Sequence, residues 1–162
     1  MADLYVVIGI PGSGKTTFLN KYVNKETSAI ISRDETRFSL LKDGEDYFSH
    51  EKEVYNILWN NINNELAAGR NVFVDQTSLT IRSRKWLIKH VKGYHHLNAL
   101  WIDTPLEICL ERNEKRKGTK TYVPRFTITN MKQQFKEPSL EEGFYRIFRF
   151  KNNKLTYKGV IL

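Results

Sequence analysis

Apolar residues along this chain fall into short blocks separated by stretches of helical period. Leu4-Tyr5-Val6-Val7-Ile8 is a β-branched run that stops at a glycine, the pattern of a strand buried on both faces of a parallel sheet. A glycine loop follows, and then a helix is expected from about Lys15 to Val23. Ala29-Ile30-Ile31, Val72-Phe73-Val74 and Leu97 to Ile102 are further strands. Between the second and third strands, Val54, Leu58, Ile62 and Leu66 recur every four residues, one apolar helix face that Gly69 can end. Thr104-Pro105 then opens a helix on which Leu106, Cys109 and Leu110 share a face, with threonine capping and proline in the first turn. The alternation is β-α-β-α, so the expectation is an α/β fold: a parallel sheet of about five strands covered by helices on both faces. Ile147 to Phe150 and Leu155 to Tyr157, parted by Asn152-Asn153, read as a hairpin or a late strand.

The chain has 162 residues and no repeat or long Pro/Gly/Ser linker, so positions 1–162 read as one domain. No apolar run reaches the roughly 18 to 20 residues that cross a bilayer, and the N-terminus lacks a signal-peptide pattern. The expected location is the cytoplasm, away from membranes. One cysteine, Cys109, offers neither a disulfide nor a cysteine-based zinc site and reads as packing. His95-His96 precedes a strand without companions at metal spacing and reads as surface. Trp59, Trp86 and Trp101 read as core, whereas Tyr122 has the position to stack on a base. The net charge is +8. Most of it lies between Glu111 and Lys136, where eight Lys or Arg face two acids. Such a cluster is either a solvated helix face or the footprint of a polyanion binder.

Gly9-Ile10-Pro11-Gly12-Ser13-Gly14-Lys15-Thr16 matches G-x-x-x-x-G-K-[ST] at every fixed position, between an expected strand and an expected helix. Gly12, Ser13 and Gly14 would turn backbone N–H groups toward phosphate, and Thr17, in the first turn of the helix whose N-terminus favours an anion, joins them as a nucleotide-binding candidate. Lys15 reaches the β- and γ-phosphates of ATP or another nucleoside triphosphate, and Thr16 supplies a hydroxyl to Mg²⁺.

That cradle serves kinases, GTPases and motor ATPases alike, so the reaction is read from other residues. A guanine-reading N-K-x-D motif is absent, and a compact kinase fits the size. Asp34, after the second strand, can accept the proton of an acceptor hydroxyl, with Arg37 one turn along to hold an acceptor phosphate; the alternative is a helix cap beside a solvated arginine. Asp75 stands at the tip of Val72 to Val74, where an acid holds the Mg²⁺ water shell or a substrate hydroxyl, or caps a helix near Ile81. Arg112 and Arg116, four apart on an expected helix, share a face and lead into Lys117-Gly118-Thr119-Lys120, a polar loop able to close.

The ordered set GIPGSGKTT, SRDETR, VFVDQTSLT, ERNEKRKGTKTYVP and an EEGF segment resembles the phage and bacterial polynucleotide 5′-hydroxyl kinase family from about Val6 to Ile147. The resemblance implies a P-loop kinase fold with a basic helical lid at about 112–136. It implies that Lys15 and Thr16 handle the donor phosphates and Mg²⁺, Asp34 is the general base, and Arg37 grips the acceptor phosphate. Asp75, with Thr77 beside it, would shape the acceptor site, and Arg116, helped by Arg112, would reach from the lid to the transferring phosphoryl group. Two departures stand out: Ser78 replaces a frequent Asn, and the lid stretch Glu114 to Gly118 is one residue longer than in some relatives. The expectation is a kinase domain alone, without the phosphatase domain that some relatives append.

The expected function is transfer of the ATP γ-phosphate to a nucleic-acid hydroxyl, most simply the 5′-OH end of DNA or RNA. The alternatives are a kinase acting on a hydroxymethylated base of phage DNA, a small-molecule or nucleoside kinase, and an ATP-dependent binding module. An acceptor base beside Arg37 speaks against the last, since a switch needs none.

Overall fold

A computed structural model describes residues 1–159. In chain order the elements are β1 (Leu4–Ile8), α1 (Lys15–Tyr22), β2 (Ser28–Ser32), α2 (Arg33–Leu40), α3 (Glu51–Ala67), β3 (Asn71–Asp75), α4 (Ile81–Ile88), β4 (Leu97–Ile102), α5 (Leu106–Glu114), α6 (Arg125–Gln134), a 3₁₀ turn at Leu140–Glu142, β5 (Arg146–Lys151) and β6 (Lys154–Gly159). The strands form one sheet in the order β2-β3-β1-β4-β5-β6. Five run parallel, as the alternation requires, and β6 closes the edge antiparallel to β5. The C-terminal segment is therefore both a late strand and a hairpin. Its turn is Asn152-Asn153, with φ of 50° and 59°. Paired left-handed residues give the twist that a two-residue hairpin needs.

β1 lies between β3 and β4. The chain leaves β1 toward β2 and returns to its other side only at β4, so the crevice at the carboxyl end of β1 is the topological switch point where ligands bind in open α/β sheets. Both faces of the central strands are buried. On one face Leu4, Val6 and Ile8 pack with Leu58, Ile62 and Leu66 of α3 and Leu87 of α4. On the other, Val7, Leu100 and Ile102 pack with Leu19 of α1 and a fringe of aromatics including Phe18 and Phe150. Each enclosed aliphatic side chain contributes about 1.5–3 kcal/mol relative to exposure, so the one-sided stripe of α3 is enough to hold it against the sheet.

Local capping frees the site carboxylates. α2 is capped by Ser32, whose side chain accepts from the Glu35 backbone N–H, and α4 by a reciprocal box between Thr80 and Ser83. Neither Asp34 nor Asp75 is used as a cap. The expected Thr104 cap is corrected: α5 starts after Pro105, and the Thr104 hydroxyl donates to the Ser13 carbonyl at 2.7 Å. Lys115 closes α5, so Arg116 sits in the turn beyond it rather than on the helix that carries Arg112.

Trp101 is core, but Trp59 is half-buried and Trp86 is exposed, a correction to the reading of all three as core. His95 and His96 do have a companion: their Nδ1 atoms lie 3.7 and 3.3 Å from Asp3 Oδ1, at the end of the sheet opposite the glycine loop. Only strand pairing reveals that neighbour, since β1 and β4 are far apart in sequence.

Ser78 is buried with φ of 47°, a left-handed conformation in which a β-carbon is strained and which Asn or Gly tolerates better. This explains physically why Asn suits the position. Ser78→Gly is expected to relieve strain and raise stability by about 0.5–1 kcal/mol, measurable as a shifted denaturation midpoint with unchanged slope.

Candidate active site

The loop between β1 and α1 folds as its glycines dictate. Gly12 has φ of +83°, and a β-carbon there would lie 2.4 Å from the carbonyl oxygen of Cys109, so α5 approaches the loop backbone as closely as it does only because Gly12 has none. Three side chains brace the loop: Thr104 on the Ser13 carbonyl, Arg112 Nη1 on the carbonyls of Gly12 and Ser13 at 3.3 and 3.2 Å, and Lys15 Nζ on the Ile10 carbonyl at 3.2 Å. The Ser13 hydroxyl is buried with no hydrogen-bond partner. An unpaired buried hydroxyl is costly, and a phosphate oxygen would satisfy it. Thr17 lines the cleft one residue after Thr16. Cys109 packs beneath the loop in a small cluster with Ile10, Leu79, Leu110 and Ile128, and burial pushes its thiol pKa up.

Asp75 ends β3, beside β1, and its Oδ2 accepts from the Thr16 hydroxyl at 2.7 Å. Two hard oxygen donors at the end of the phosphate loop suit Mg²⁺. Lys15 is half-buried along its length, and its ammonium pKa is lowered chiefly by desolvation. Asp75 and Asp34 oppose that shift, and Arg116 adds to it. Asp75, Asp34 and Arg116 thus all lie within electrostatic reach of Lys15. Thr77 is tied in by its backbone, its carbonyl accepting from the Gly9 N–H at 3.1 Å.

Asp34 and Arg37 face each other as their spacing suggested, but Arg37 is fully buried. Its guanidinium donates to Asp34 Oδ1 at 2.7 Å, to Glu51 Oε1 at 2.6 Å and to the Tyr47 hydroxyl. Only Nη2 lacks a partner. Tyr47 in turn donates to Asp34 Oδ1 at 2.8 Å. Burial and the adjacent Asp34 carboxylate push its phenol pKa up to about 12, so it remains a donor at any ordinary pH. Both contacts fall on Oδ1, which leaves Oδ2 of an otherwise exposed carboxylate as its free basic oxygen. Sequence reasoning missed Tyr47 and Glu51. One lies in the loop before α3 and the other on its first turn, and no spacing rule connects them to α2.

The basic segment after α5 is pinned at its base. Asn113, buried, donates to the Val123 carbonyl at 2.6 Å and accepts from the Val123 N–H at 3.0 Å, closing the exposed turns between them into a loop. α6 is anchored by Ile128. The loop leans across the crevice, with Lys120 Nζ 4.8 Å from the Phe38 ring of α2. It therefore spans from Arg112 on the phosphate side to α2 on the other. A cleft of about 510 Å³ lies alongside, between Phe18 and Tyr22 of α1, Ile108, Arg112 and Arg116 after β4, and the Asn152-Asn153 turn.

Known proteins agree with this architecture. The chain is 27% identical over 153 residues to a protein of Acanthamoeba polyphaga mimivirus named as a bifunctional polynucleotide phosphatase/kinase, covering 90% of this chain and 32% of the viral one. A chain in the structure of the Pnkp1/Rnl/Hen1 RNA repair complex superposes with a TM-score of 0.72 at 24% identity, over 82% of this chain and 43% of that one. A sugar kinase from Janibacter sp. superposes with a TM-score of 0.66 at 18% identity, over 92% and 86% of the two chains. This chain thus spans about a third of the viral relative, and the fold is that of P-loop kinases, which implies nucleotide binding. No helix among the described residues is long and apolar enough to cross a membrane. The family described as AAA domain matches residues 4–138, most of the chain and all of the residues gathered around the loop, and the chain belongs to that family.

Proposed function

We propose that this chain transfers the γ-phosphate of ATP to a hydroxyl of a nucleic acid, the 5′-OH end of DNA or RNA. The observation that carries the reading is the acceptor side: a carboxylate just beyond the carboxyl end of β2 whose Oδ1 is saturated and whose Oδ2 is free among the described residues. A nucleotide switch has no use for such a base. The mimivirus relative named as a polynucleotide phosphatase/kinase supports the choice of acceptor, and the basic loop suits a polyanion.

In this reading Asp34 Oδ2 accepts the proton as the acceptor oxygen attacks the γ-phosphorus, and ADP leaves. The loop N–H groups, the Ser13 hydroxyl and Lys15 hold the donor phosphates, and the cleft along α1 takes the nucleoside. Arg116, with Arg112 behind it, stabilises charge on the transferring group; Asp75 and Thr77 border the acceptor, and Arg37, buried rather than open to an acceptor phosphate, holds Asp34 through Oδ1 so that Oδ2 faces the acceptor. Thr16 and Asp75 are the residues that would hold Mg²⁺, which neutralises charge on the β- and γ-phosphates when bound.

The test is transfer from γ-labelled ATP to a panel of 5′-OH and 5′-phosphate DNA and RNA, hydroxymethylated duplex, free nucleosides and sugars. Label is expected on 5′-OH ends only, and Asp34→Asn is expected to lower kcat by about a hundred- to ten-thousand-fold with ATP binding retained. Label confined to sugars or nucleosides would replace the nucleic-acid reading with the chemistry of the sugar kinase whose fold this chain shares.

A further inference from the structure

The outer face of α4 interleaves positive charge with an aromatic ring. Arg82, Lys85, Trp86 and Lys89 follow one another at i, i+3, i+4 and i+7 and are all exposed, on a helix without a single acid. The fourth basic residue there, Arg84, points inward and is paired. Arg82, Lys85 and Lys89 form no ion pair among the described residues.

Trp86 is 39% exposed and heads a file of rings: it meets Tyr55 edge-on at 4.4 Å and Trp59 at 4.9 Å, and Trp59 stacks on His90 at 3.7 Å. The Tyr55 hydroxyl accepts from Arg33 Nη1 at 2.7 Å, and Arg33 immediately precedes Asp34. One tyrosine therefore separates the neighbour of the acceptor base from Trp86.

We propose that this face binds the single-stranded stretch of acceptor polynucleotide that follows its 5′ end, with phosphates along Arg82, Lys85 and Lys89 and a base stacked on Trp86. The inference rests on the nucleic-acid reading and specifies its substrate class. Unpaired cations around a flat ring match a strand that offers both charge and π-faces. An apolar protein partner would have to desolvate all three charges, and a duplex keeps its bases in the stack, away from Trp86.

The test uses the full chain and two measurements. In kinase assays, Trp86→Ala is expected to raise KM for a long 5′-OH oligothymidylate by about ten-fold, with kcat unchanged and with KM for thymidine 3′-phosphate, too short to reach α4, unchanged; Trp86→Phe retains most of the affinity. In the absence of ATP, binding of 5′-phosphorylated oligothymidylate is followed by fluorescence anisotropy against salt. The triple variant Arg82→Ala, Lys85→Ala, Lys89→Ala is expected to flatten the log–log slope by about two. Arg82, Lys85 and Lys89 are exposed, so the triple variant should melt like the parent; Trp86→Ala loses ring contacts with Tyr55 and Trp59 and should melt lower, so both measurements on it are made well below its melting onset and compared with Trp86→Phe. If the parent phosphorylates 5′-OH ends but long and short acceptors respond alike in every variant, the surface is wrong and the kinase reading stands. If binding depends on Trp86 and the cations while no polynucleotide is phosphorylated, the surface stands and the kinase reading fails.

Discussion

Replacing Lys15 by methionine is expected to lower kcat/KM by about a thousand-fold or more and yet to leave the protein slightly more stable. The two effects have one cause. The ammonium sits where phosphate charge would neutralise it, and without that charge it is poorly solvated: desolvation outweighs the attraction of Asp75 and Asp34 and holds its pKa below the ordinary lysine value. Methionine keeps the stem volume and removes the charge. Catalysis loses a cation aimed at developing negative charge, a contribution usually worth two to three powers of ten or more. Folding loses a penalty, and a rise in Tm of about 2–4 °C is expected near neutral pH.

The pH dependence follows in sign. Between the lowered folded-state pKa and the ordinary value, the unfolded chain binds more protons than the folded one, so the parent's stability rises with pH there. The advantage of Lys15→Met should be complete below that window and shrink through it. Nucleotide should reverse the order of the melts, stabilising the parent and not the variant. Paired scans with and without ATP across that pH range check all three statements, and a variant less stable than the parent at neutral pH would show that the carboxylates, not desolvation, dominate.

The second large effect is on stability. Arg84→Met is expected to destabilise the fold by about 3–5 kcal/mol, or very roughly 6–20 °C in Tm. Arg84 is fully buried and donates from Nε and Nη2 to the two oxygens of Glu142, at 2.7 and 3.0 Å, and from Nη1 to the carbonyls of Ser78 and Lys136, at 2.9 and 3.0 Å. One guanidinium thus joins the strained turn after β3, the end of α6 and the 3₁₀ turn before β5. Methionine leaves a Glu142 carboxylate that is 5% exposed without its countercharge, and two carbonyls without donors.

Adding Glu142→Leu to Arg84→Met should recover only part of the loss. Replacing a buried ion pair by apolar groups is often neutral, but here the carbonyls of Ser78 and Lys136 remain unpaired and the Ser139 N–H loses its acceptor. A double-mutant cycle by urea denaturation reads this directly. Full recovery would mean that the ion pair alone matters and the carbonyl contacts add nothing. Because the same turn follows Asp75 and carries Thr77, whose carbonyl holds the Gly9 N–H, the single variant should also weaken nucleotide binding.

How far the site is legible from sequence depends on how local its determinants are. The phosphate loop is legible because its chemistry is written in consecutive residues, and Asp34 and Asp75 because a carboxylate at the end of a parallel strand must open on the same crevice. Arg37 is legible in place but not in state: spacing puts it on the face of Asp34, whereas Tyr47 from the next loop and Glu51 from the helix beyond it bury its guanidinium. Arg82 and Arg84 show the same limit. They are two residues apart on one helix and alike in sequence, yet one faces solvent and the other is fully buried.

By itself, then, the sequence determined what continuous apolar runs, period-four apolar patterns and contiguous motifs can encode: the α/β alternation, the parallel strands, the loop for a nucleotide and the carboxylates that border it. The tertiary structure decided which polar side chains meet across elements: Tyr47 and Arg37 on one oxygen of Asp34, Thr104 and Arg112 on the loop carbonyls, Asp3 beside His95 and His96, Trp86 at the surface next to Tyr55. Hydrophobic burial is non-directional and leaves a periodic trace along the chain. Hydrogen bonds and ion pairs between distant segments are directional and leave none, so they become readable only once packing has fixed each helix in register against the sheet.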